Sequence, residues 1–158
     1  MRVLITGANR GIGLAMAQQL VAAVNEVIAV CRESSTELED LVDQVISGID
    51  VTDDQSIDSL GQVLGLSLGE GDKIDVLINN AGLFKNETFG DLDLEAIRDQ
   101  FEVNALGPLK VTEALLPLLG EGSKVANITS RMGSIEDNTS GAYYGYRASK
   151  AALNAFTK

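Results

Sequence analysis

Short apolar runs alternate with helix-prone stretches along the whole chain. The apolar runs have the length and the bounding residues of buried strands, and they occupy residues 3–6, 26–30, 45–51, 74–78 and 124–128. Helical patterns follow them at residues 14–20, 35–44, 53–66, 91–119 and 148–158. This alternation predicts an α/β fold with a parallel sheet covered on both faces. No internal repeat or linker divides residues 1–158, so we expect one domain.

Residues with strong positional preferences mark several helix ends. Thr52 is placed to cap the helix at residues 53–66. Within the long helix at residues 91–119, Pro108 predicts a kink and Pro117 predicts the end, because proline lacks the amide that continues a helix.

A glycine-rich turn joins the first strand to the first helix. Residues 6–13 read Thr-Gly-Ala-Asn-Arg-Gly-Ile-Gly, with glycine spacing that differs from the common dinucleotide fingerprint. A turn of this kind binds phosphate, because unpaired amides and the positive end of the helix dipole meet the ligand where glycine allows close approach. The alternative interpretation is a plain connector.

Two arginines extend the phosphate hypothesis. Arg32 follows the second strand, where an arginine accommodates a 2′-phosphate in dinucleotide folds, and Arg10 lies within the glycine-rich turn. Two guanidinium groups can bracket one phosphate. Glu33 follows directly and weakens this interpretation, and both arginines can equally be ordinary surface charges.

A tyrosine and a lysine lie one helical turn apart near the end of the chain. Tyr146 and Lys150 are at positions i and i+4, which share a helix face. A nearby cation favours the phenolate, so Tyr146 is a candidate general acid and base. The alternative is a solvated helix face.

Asn104 lies on the apolar stripe of the long helix. A buried amide there is either a catalytic group or a core residue whose hydrogen bonds are satisfied.

Composition excludes several classes of function. The net charge of −11 and pI of about 4.3 argue against a surface for nucleic acid or anionic membrane. The chain has no histidine, which excludes Ser-His-Asp and Cys-His hydrolysis and His-ligated metals. Cys31 is the only cysteine, so neither an internal disulfide nor a cysteine metal site is expected, and a reducing cytoplasm is the predicted location. We see no signal peptide and no apolar run that could cross a bilayer.

Together these motifs resemble the short-chain dehydrogenase/reductase family, in order and over the whole chain. The turn at residues 6–13, Asp50, the Asn-Ala-Gly segment at 80–82, Asn104, Ser130 and the Tyr146/Lys150 pair each resemble a family motif. The local sequence around Ser130 and Tyr146 looks most like C-factor and sniffer-type carbonyl reductases. The resemblance implies a Rossmann-type doubly wound sheet with strand order 3-2-1-4-5.

The resemblance also implies roles for these residues. Tyr146 gives a proton to a carbonyl oxygen as hydride arrives, Ser130 holds that oxygen, Lys150 binds the nicotinamide ribose and lowers the Tyr146 pKa, and Asn104 positions a water. Tyr143 and Tyr144 are not followed by a lysine at the fourth position, so Tyr146 is the implied acid. The implied cofactor contacts are Gly7, Asn9, Arg10, Gly11, Ile12, Gly13, Arg32, Asp50, Val51, Asn80, Ala81, Gly82, Tyr146 and Lys150.

The predicted function is therefore NADP(H)-dependent reduction of a small carbonyl substrate, with no metal ion. The arginines favour NADP(H) over NAD(H), and family likeness implies a homodimer or homotetramer. A non-catalytic dinucleotide-binding sensor or signalling protein is the alternative. Relative to the family pattern, the sixth strand, the substrate loop and the seventh strand have no counterpart in residues 1–158, so we expect a longer parent protein. Phe84, Met132, Tyr143 and Tyr144 are candidates either for one pocket wall or for core packing.

Overall fold

Five strands and six α-helices alternate along the chain. The computed structural model describes residues 1–158. The strands are β1 (Arg2–Thr6), β2 (Glu26–Val30), β3 (Gln44–Ile46), β4 (Ile74–Asn79) and β5 (Leu119–Asn127). The helices are α1 (Gly11–Ala22), α2 (Thr36–Leu41), α3 (Asp54–Ser67), α4 (Leu94–Phe101), α5 (Gly107–Leu115) and α6 (Tyr144–Phe156).

The strands form one parallel sheet in the order β3-β2-β1-β4-β5. The order reverses direction beside β1, and ligands of open α/β sheets bind at such a point, outside the carboxyl ends of the strands. This is a Rossmann-type doubly wound sheet, so the predicted fold class and strand order are confirmed.

Alternate residues of β1, β2, β3 and β4 enter two separate cores, because successive side chains point to opposite faces of a sheet. In β1, Leu4 packs with the core beneath α3 and α5, whereas Val3 and Ile5 pack with the core beneath α1 and α2. Both faces of these four strands are therefore buried, which explains why they read as continuous apolar runs, whereas β5 at the edge of the sheet is exposed or half-buried along its length. The carboxyl edge of the sheet stays open between these layers.

The third strand is shorter than predicted. β3 covers Gln44–Ile46, whereas the sequence pattern predicted a strand at residues 45–51. Gly48 has φ +81°, a left-handed conformation that turns the chain away, although its amide still donates to the Arg32 carbonyl at 2.9 Å. The predicted cap was also wrong, since Asp53 accepts the Gln55 amide at the start of α3.

The predicted continuous helix at residues 91–119 is interrupted. α4 passes into a π-helical segment, Glu102–Leu106, before α5 begins, and a 3₁₀ turn at Leu116–Leu118 follows. Pro108 supplies no amide for a bond back into the π segment, which accounts for an interruption where a kink was predicted. Pro117 lies in the closing 3₁₀ turn, as its position predicted.

Other boundaries also differ from the predictions: α2 ends at Leu41, where a helix to residue 44 was predicted. β5 begins at Leu119, earlier than the predicted residue 124, because Leu119 already pairs with Ile74 of β4, before an irregularity that ends where Lys124 pairs with Val76. α6 begins at Tyr144 instead of residue 148, one residue after Tyr143, which has φ +55°. No helix is long and apolar enough to traverse a lipid bilayer.

Leu64 and Leu66 provide a matched test of the core beneath α3. Leu64 is wholly buried, whereas Leu66 on the same helix is 89% exposed. We expect Leu64→Ala to lower the free energy of unfolding by about 2–5 kcal/mol through lost burial and a residual cavity. Leu66→Ala should change it by less than about 0.5 kcal/mol. Urea unfolding of both variants measures this, and equal losses would contradict the assigned packing.

Candidate active site

The turn between β1 and α1 is built on a close approach of backbone to backbone. A Cβ on Gly13 would lie 2.2 Å from the Gly7 carbonyl oxygen and 2.5 Å from Asn80 Nδ2, so a side chain at this position has no space. Gly7 itself has φ +67°. The spacing of these glycines therefore follows from the way the first turn of α1 packs against the end of β1.

Asn80 and Thr6 join this turn to the end of β4. Asn80 Nδ2 donates to the Thr6 and Gly7 carbonyl oxygens, both at 3.0 Å. Thr6 Oγ1 accepts the amides of Asn80 and Ala81, both at 3.1 Å. These bonds hold the turn and the segment after β4 in one rigid unit at the carboxyl edge of the sheet.

The N-terminus of α1 differs from those of the next three helices. Ser35, Asp53 and Asp93 each accept first-turn amides of α2, α3 and α4 with their side chains. The corresponding residue of α1, Arg10, makes no such side-chain bond. First-turn amides of α1 are therefore available to an anion, and the helix dipole favours negative charge there.

A cleft of about 800 Å³ opens at this edge of the sheet. All fourteen residues that the sequence predicted as cofactor contacts line it: Gly7, Asn9, Arg10, Gly11, Ile12, Gly13, Arg32, Asp50, Val51, Asn80, Ala81, Gly82, Tyr146 and Lys150. The fold therefore brings the glycine-rich turn and the Tyr146/Lys150 pair to one continuous surface.

Sequence reasoning missed several residues of the cleft. Its wall also contains Cys31, Leu83, Val103, Ile128 and Thr129. Cys31 follows β2, Leu83 lies in the segment after β4, and Ile128 and Thr129 follow β5. Residues after the carboxyl ends of parallel strands meet at one edge. That rule could have identified them. Val103 lies in the π-helical segment, for which the sequence offered no pattern.

Asp50 and Arg32 form an ion pair on the rim. Arg32 Nη1 lies 3.8 Å from Asp50 Oδ2, and the arginine side chain is 72% exposed. Burial raises the pKa of Asp50, but hydrogen bonds from Thr52 and the Arg32 charge outweigh it and hold that pKa below its usual value. Asp50 is therefore a carboxylate, and Arg32 keeps most of its guanidinium free for another anion.

Lys150 lies beneath the tyrosine ring. Its Nζ donates to the Ile128 carbonyl oxygen at 2.7 Å and lies 5.8 Å from the centre of the Tyr146 ring. Lys150 is 5% exposed, and this burial lowers its pKa below the ordinary lysine value. The cation is thus held at the junction of β5 and α6.

Ser130 and Asn104 do not line the cleft. Ser130 Oγ accepts the Met132 amide at 3.1 Å, at the start of the 3₁₀ turn Arg131–Gly133. A Cβ on Gly133 would lie 2.8 Å from the Lys150 carbonyl carbon, so this turn packs directly on α6. Ser130 is therefore held beside the site, one residue from Thr129 on the cleft wall.

Asn104 is a wholly buried connector. Its Oδ1 accepts the Leu83 amide at 2.7 Å, and its Nδ2 donates to the Leu83 carbonyl at 2.8 Å and to Ser149 Oγ at 3.0 Å. The side chain joins α6 to the segment after β4. This geometry satisfies the amide next to the cleft, and the implied role of Asn104 in positioning a water stays a prediction.

An aromatic group adjoins Tyr146. The Phe84 ring packs edge-on against Tyr146 at 4.9 Å and stacks on Tyr143 at 5.5 Å. Phe84 is 55% exposed and lines the cleft, so it is a wall residue and not a core residue. Tyr144 instead contacts Phe89, which is 80% exposed.

The doubly wound sheet and the cleft at its switch point define a dinucleotide-binding fold. The chain matches the family model described as short chain dehydrogenase over residues 1–158, and it belongs to that family, as the sequence motifs predicted.

Named relatives include reductases and dehydrogenases. The chain is 43% identical over 152 residues to 1-hydroxy-2-glutathionyl-2-methyl-3-butene dehydrogenase of Rhodococcus sp. (strain AD45), and the match covers 96% of this chain and 66% of that enzyme. Carbonyl reductase Sniffer of D. melanogaster superposes with a TM-score of 0.88 at 31% identity, covering 99% of this chain and 72% of that one. The NADPH-bound carbonyl reductase from chicken fatty liver gives 0.86 and 34%, covering 99% and 71%. The chain thus spans just under two thirds of the length of its Rhodococcus relative.

The buried lysine predicts a specific pH dependence of stability. Because folding lowers the Lys150 pKa, the unfolded chain binds more protons between that lowered pKa and the unfolded value of about 10.4. The contribution of Lys150 to the free energy of unfolding therefore increases as pH rises through this window and decreases as pH falls. We expect Lys150→Met to remove that rise from the free energy of unfolding, measured by urea unfolding from neutral to alkaline pH.

Lys110 is the matched control. Its hydrogen bond to Asp54 raises its pKa, so its contribution is complete below about pH 10.4 and is lost only above that value. Lys110→Met should therefore leave the rise in place. Identical pH profiles for the parent and Lys150→Met would contradict the buried position of the ammonium.

Proposed function

We propose that the protein reduces a small carbonyl compound to an alcohol with NADPH, using Tyr146 as the proton donor. One observation carries this proposal: Tyr146 and Lys150 line the same cleft as the glycine-rich turn and the uncapped N-terminus of α1. A phenol, a buried cation and an anion-binding turn on one surface are the groups that hydride transfer to a carbonyl requires from a protein.

The residues present fit a dinucleotide. The absence of space at Gly13 and the uncapped amides of α1 provide a phosphate position, and Asp50, Val51 and the segment 80–82 provide further wall. When bound, the nicotinamide supplies the hydride.

The proton chemistry follows from the arrangement around α6. As the carbonyl carbon accepts hydride, its oxygen takes the proton of the Tyr146 hydroxyl, which leaves a phenolate. The Lys150 ammonium, held 5.8 Å from the ring centre, stabilises that phenolate. Ser130, on the turn packed against Lys150, orients the carbonyl oxygen. Asn104 acts by holding Leu83 and Ser149, and thereby the two walls beside Tyr146.

NADPH is the proposed reductant because two arginines lie at the glycine-rich turn between β1 and α1. Arg10 and Arg32 both line the cleft, and the Arg32 guanidinium remains mostly exposed despite its contact with Asp50. A 2′-phosphate fits such a pair of charges. The NADPH-bound carbonyl reductase from chicken fatty liver, a structural neighbour, supports this choice.

The substrate side of the cleft is apolar and aromatic. Phe84 presents more than half of its surface next to Tyr146, backed by Tyr143. A carbonyl compound with a flat apolar substituent would bury that exposed ring. The cytoplasmic location and the homodimeric or homotetrameric state both remain predictions from the sequence.

Replacing the phenol provides the direct test. We expect Tyr146→Phe to lower kcat by about 10²–10⁴-fold, the usual contribution of a positioned general acid, with little change in NADPH affinity. Absorbance of NADPH with a panel of aldehydes and ketones measures kcat, and fluorescence titration measures affinity. Tyr144→Phe is the matched control on the same helix and should retain activity. A parent chain that binds NADPH without turnover would instead favour the sensor alternative.

A second test concerns the choice of cofactor. We expect Arg32→Gln to weaken NADPH binding by about tenfold or more, since a charge-assisted hydrogen bond contributes about 1.5–3 kcal/mol, and to leave NADH binding nearly unchanged. Arg131→Gln is the control, because Arg131 is 90% exposed and pairs with Asp137 away from the cleft. Equal losses for both cofactors would argue against a 2′-phosphate contact.

A further inference from the structure

We propose that Glu87 is a positioning residue that fixes the start of α6 and thereby aims Tyr146 into the cleft. The inference rests on the proposed role of Tyr146. Glu87 does not line the cleft, and it was absent from every motif in the sequence. It lies in the segment between β4 and α4, and it is 2% exposed.

Glu87 accepts hydrogen bonds from two residues that precede Tyr146 in the chain. Its backbone carbonyl accepts the Tyr143 amide at 3.2 Å, and its Oε2 accepts the Gly145 amide at 3.2 Å. Its other carboxylate oxygen, Oε1, accepts from Gln100 Nε2. One residue therefore bonds the residue before α6, the second residue of α6 and the side chain of a neighbouring helix.

α6 depends on this external acceptor. Tyr143, the residue before the helix, has φ +55° and provides no side-chain cap. First-turn amides need acceptors, and a carboxylate near a helix N-terminus also interacts favourably with the dipole. Glu87 thus performs, from a distant segment, the task that Ser35, Asp53 and Asp93 perform locally for α2, α3 and α4.

Gly145 shows how tightly this contact is packed. A Cβ at this position would lie 2.6 Å from Gln100 Nε2, 3.0 Å from Ile97 Cα and 3.1 Å from Glu87 Oε1. Gly145 does not need a left-handed conformation, so close approach explains the glycine. The helix is pressed against α4 one residue before Tyr146, which leaves little freedom in the register of α6.

The contact belongs to a buried polar seam between three segments. Gln100 and Asn104 are one turn apart on the same helical run and both are wholly buried. Gln100 Oε1 accepts the Lys85 amide at 2.8 Å, and Asn104 holds Leu83 through both amide groups. Hydrogen bonds thus fix the alternate residues 83, 85 and 87 of this segment, and Glu87 connects the segment to α6 through its bond to the Gly145 amide.

The seam requires a carboxylate at residue 87. Two donors face the side chain, the Gln100 amide and the Gly145 amide, and a carboxylate has an oxygen for each. A glutamine has one oxygen and one NH₂ group, so one N–H of the seam always meets another donor. Glu87→Gln therefore keeps the volume but loses one of the two bonds.

The predicted consequence is specific to the chemistry at Tyr146. A shift of about 1 Å in a reacting group can cost about 100-fold in rate. We expect Glu87→Gln to lower kcat about tenfold or more, to change the pH profile of kcat, and to leave NADPH affinity within about twofold, because the glycine-rich turn lies on the other side of the cleft. Hydrogen exchange at residues 143–147 should become faster.

The control is Asp53→Ala, which removes the side-chain cap of α3. It should lower the melting temperature without changing kcat or exchange at residues 143–147. If Glu87→Gln fails to melt cooperatively, Gln100→Met perturbs the same seam from α4 and should give the same kinetic pattern. Both variants are measured in the full chain.

The outcomes separate the inference from the proposed function. Unchanged kcat and unchanged exchange at residues 143–147 in Glu87→Gln would overturn the inference even if Tyr146→Phe is inactive. A kcat loss matched by Asp53→Ala would also overturn it, since that would be a general effect of stability. If the parent shows no turnover, the proposed function fails, and faster exchange confined to residues 143–147 would still support the positioning contact.

Discussion

The close approach of Gly13 to Gly7 is the constraint on which the cleft depends. With 2.2 Å between a hypothetical Cβ and the Gly7 oxygen, the first turn of α1 can lie where it does only because residue 13 has no side chain. That position brings the helix N-terminus to the carboxyl edge of the sheet, and Asn80 ties it to the end of β4. The shape of the proposed dinucleotide site therefore arises from packing of the backbone before any charged group contributes.

Buried polar side chains continue this organisation on the other side of the cleft. Asn104, Gln100 and Glu87 are almost wholly inaccessible, and each has its hydrogen-bonding groups directed at backbone of a different segment. Such groups are costly to bury unless they are satisfied, so they define one arrangement strongly and penalise slipped alternatives. Helix α6, which carries Tyr146 and Lys150, takes its position from them.

Sequence patterns predicted the alternation of strands and helices and the parallel sheet, because these depend on local periodicity. The strand order followed from the resemblance to a known family and is confirmed. The cofactor contacts implied by the same resemblance line one cleft, and their binding role stays a prediction. The patterns placed the end of β3 and the start of α6 wrongly, because Gly48 and Tyr143 adopt left-handed conformations that apolar periodicity does not report. The sequence patterns also failed to predict the π-helical segment and the role proposed for Glu87. Each is defined by partners that are distant in sequence, such as the Gly145 amide.

Both the protein and its proposed dinucleotide ligand are negatively charged, so repulsion between them has to be overcome. The positions of the charges on the rim of the cleft explain how this is possible. Screening reduces interactions between exposed charges beyond about 8–10 Å at physiological ionic strength, so most of the net charge of −11 does not reach a bound phosphate. Arg10 and Arg32 act within that distance, and the α1 amides act at hydrogen-bonding range. Asp50 and Glu33 are the opposing charges in the wall of the cleft. The bonds of Asp50 to Thr52, together with its contact to Arg32, neutralise much of its field. Local arrangement therefore decides whether this acidic surface accepts an anion.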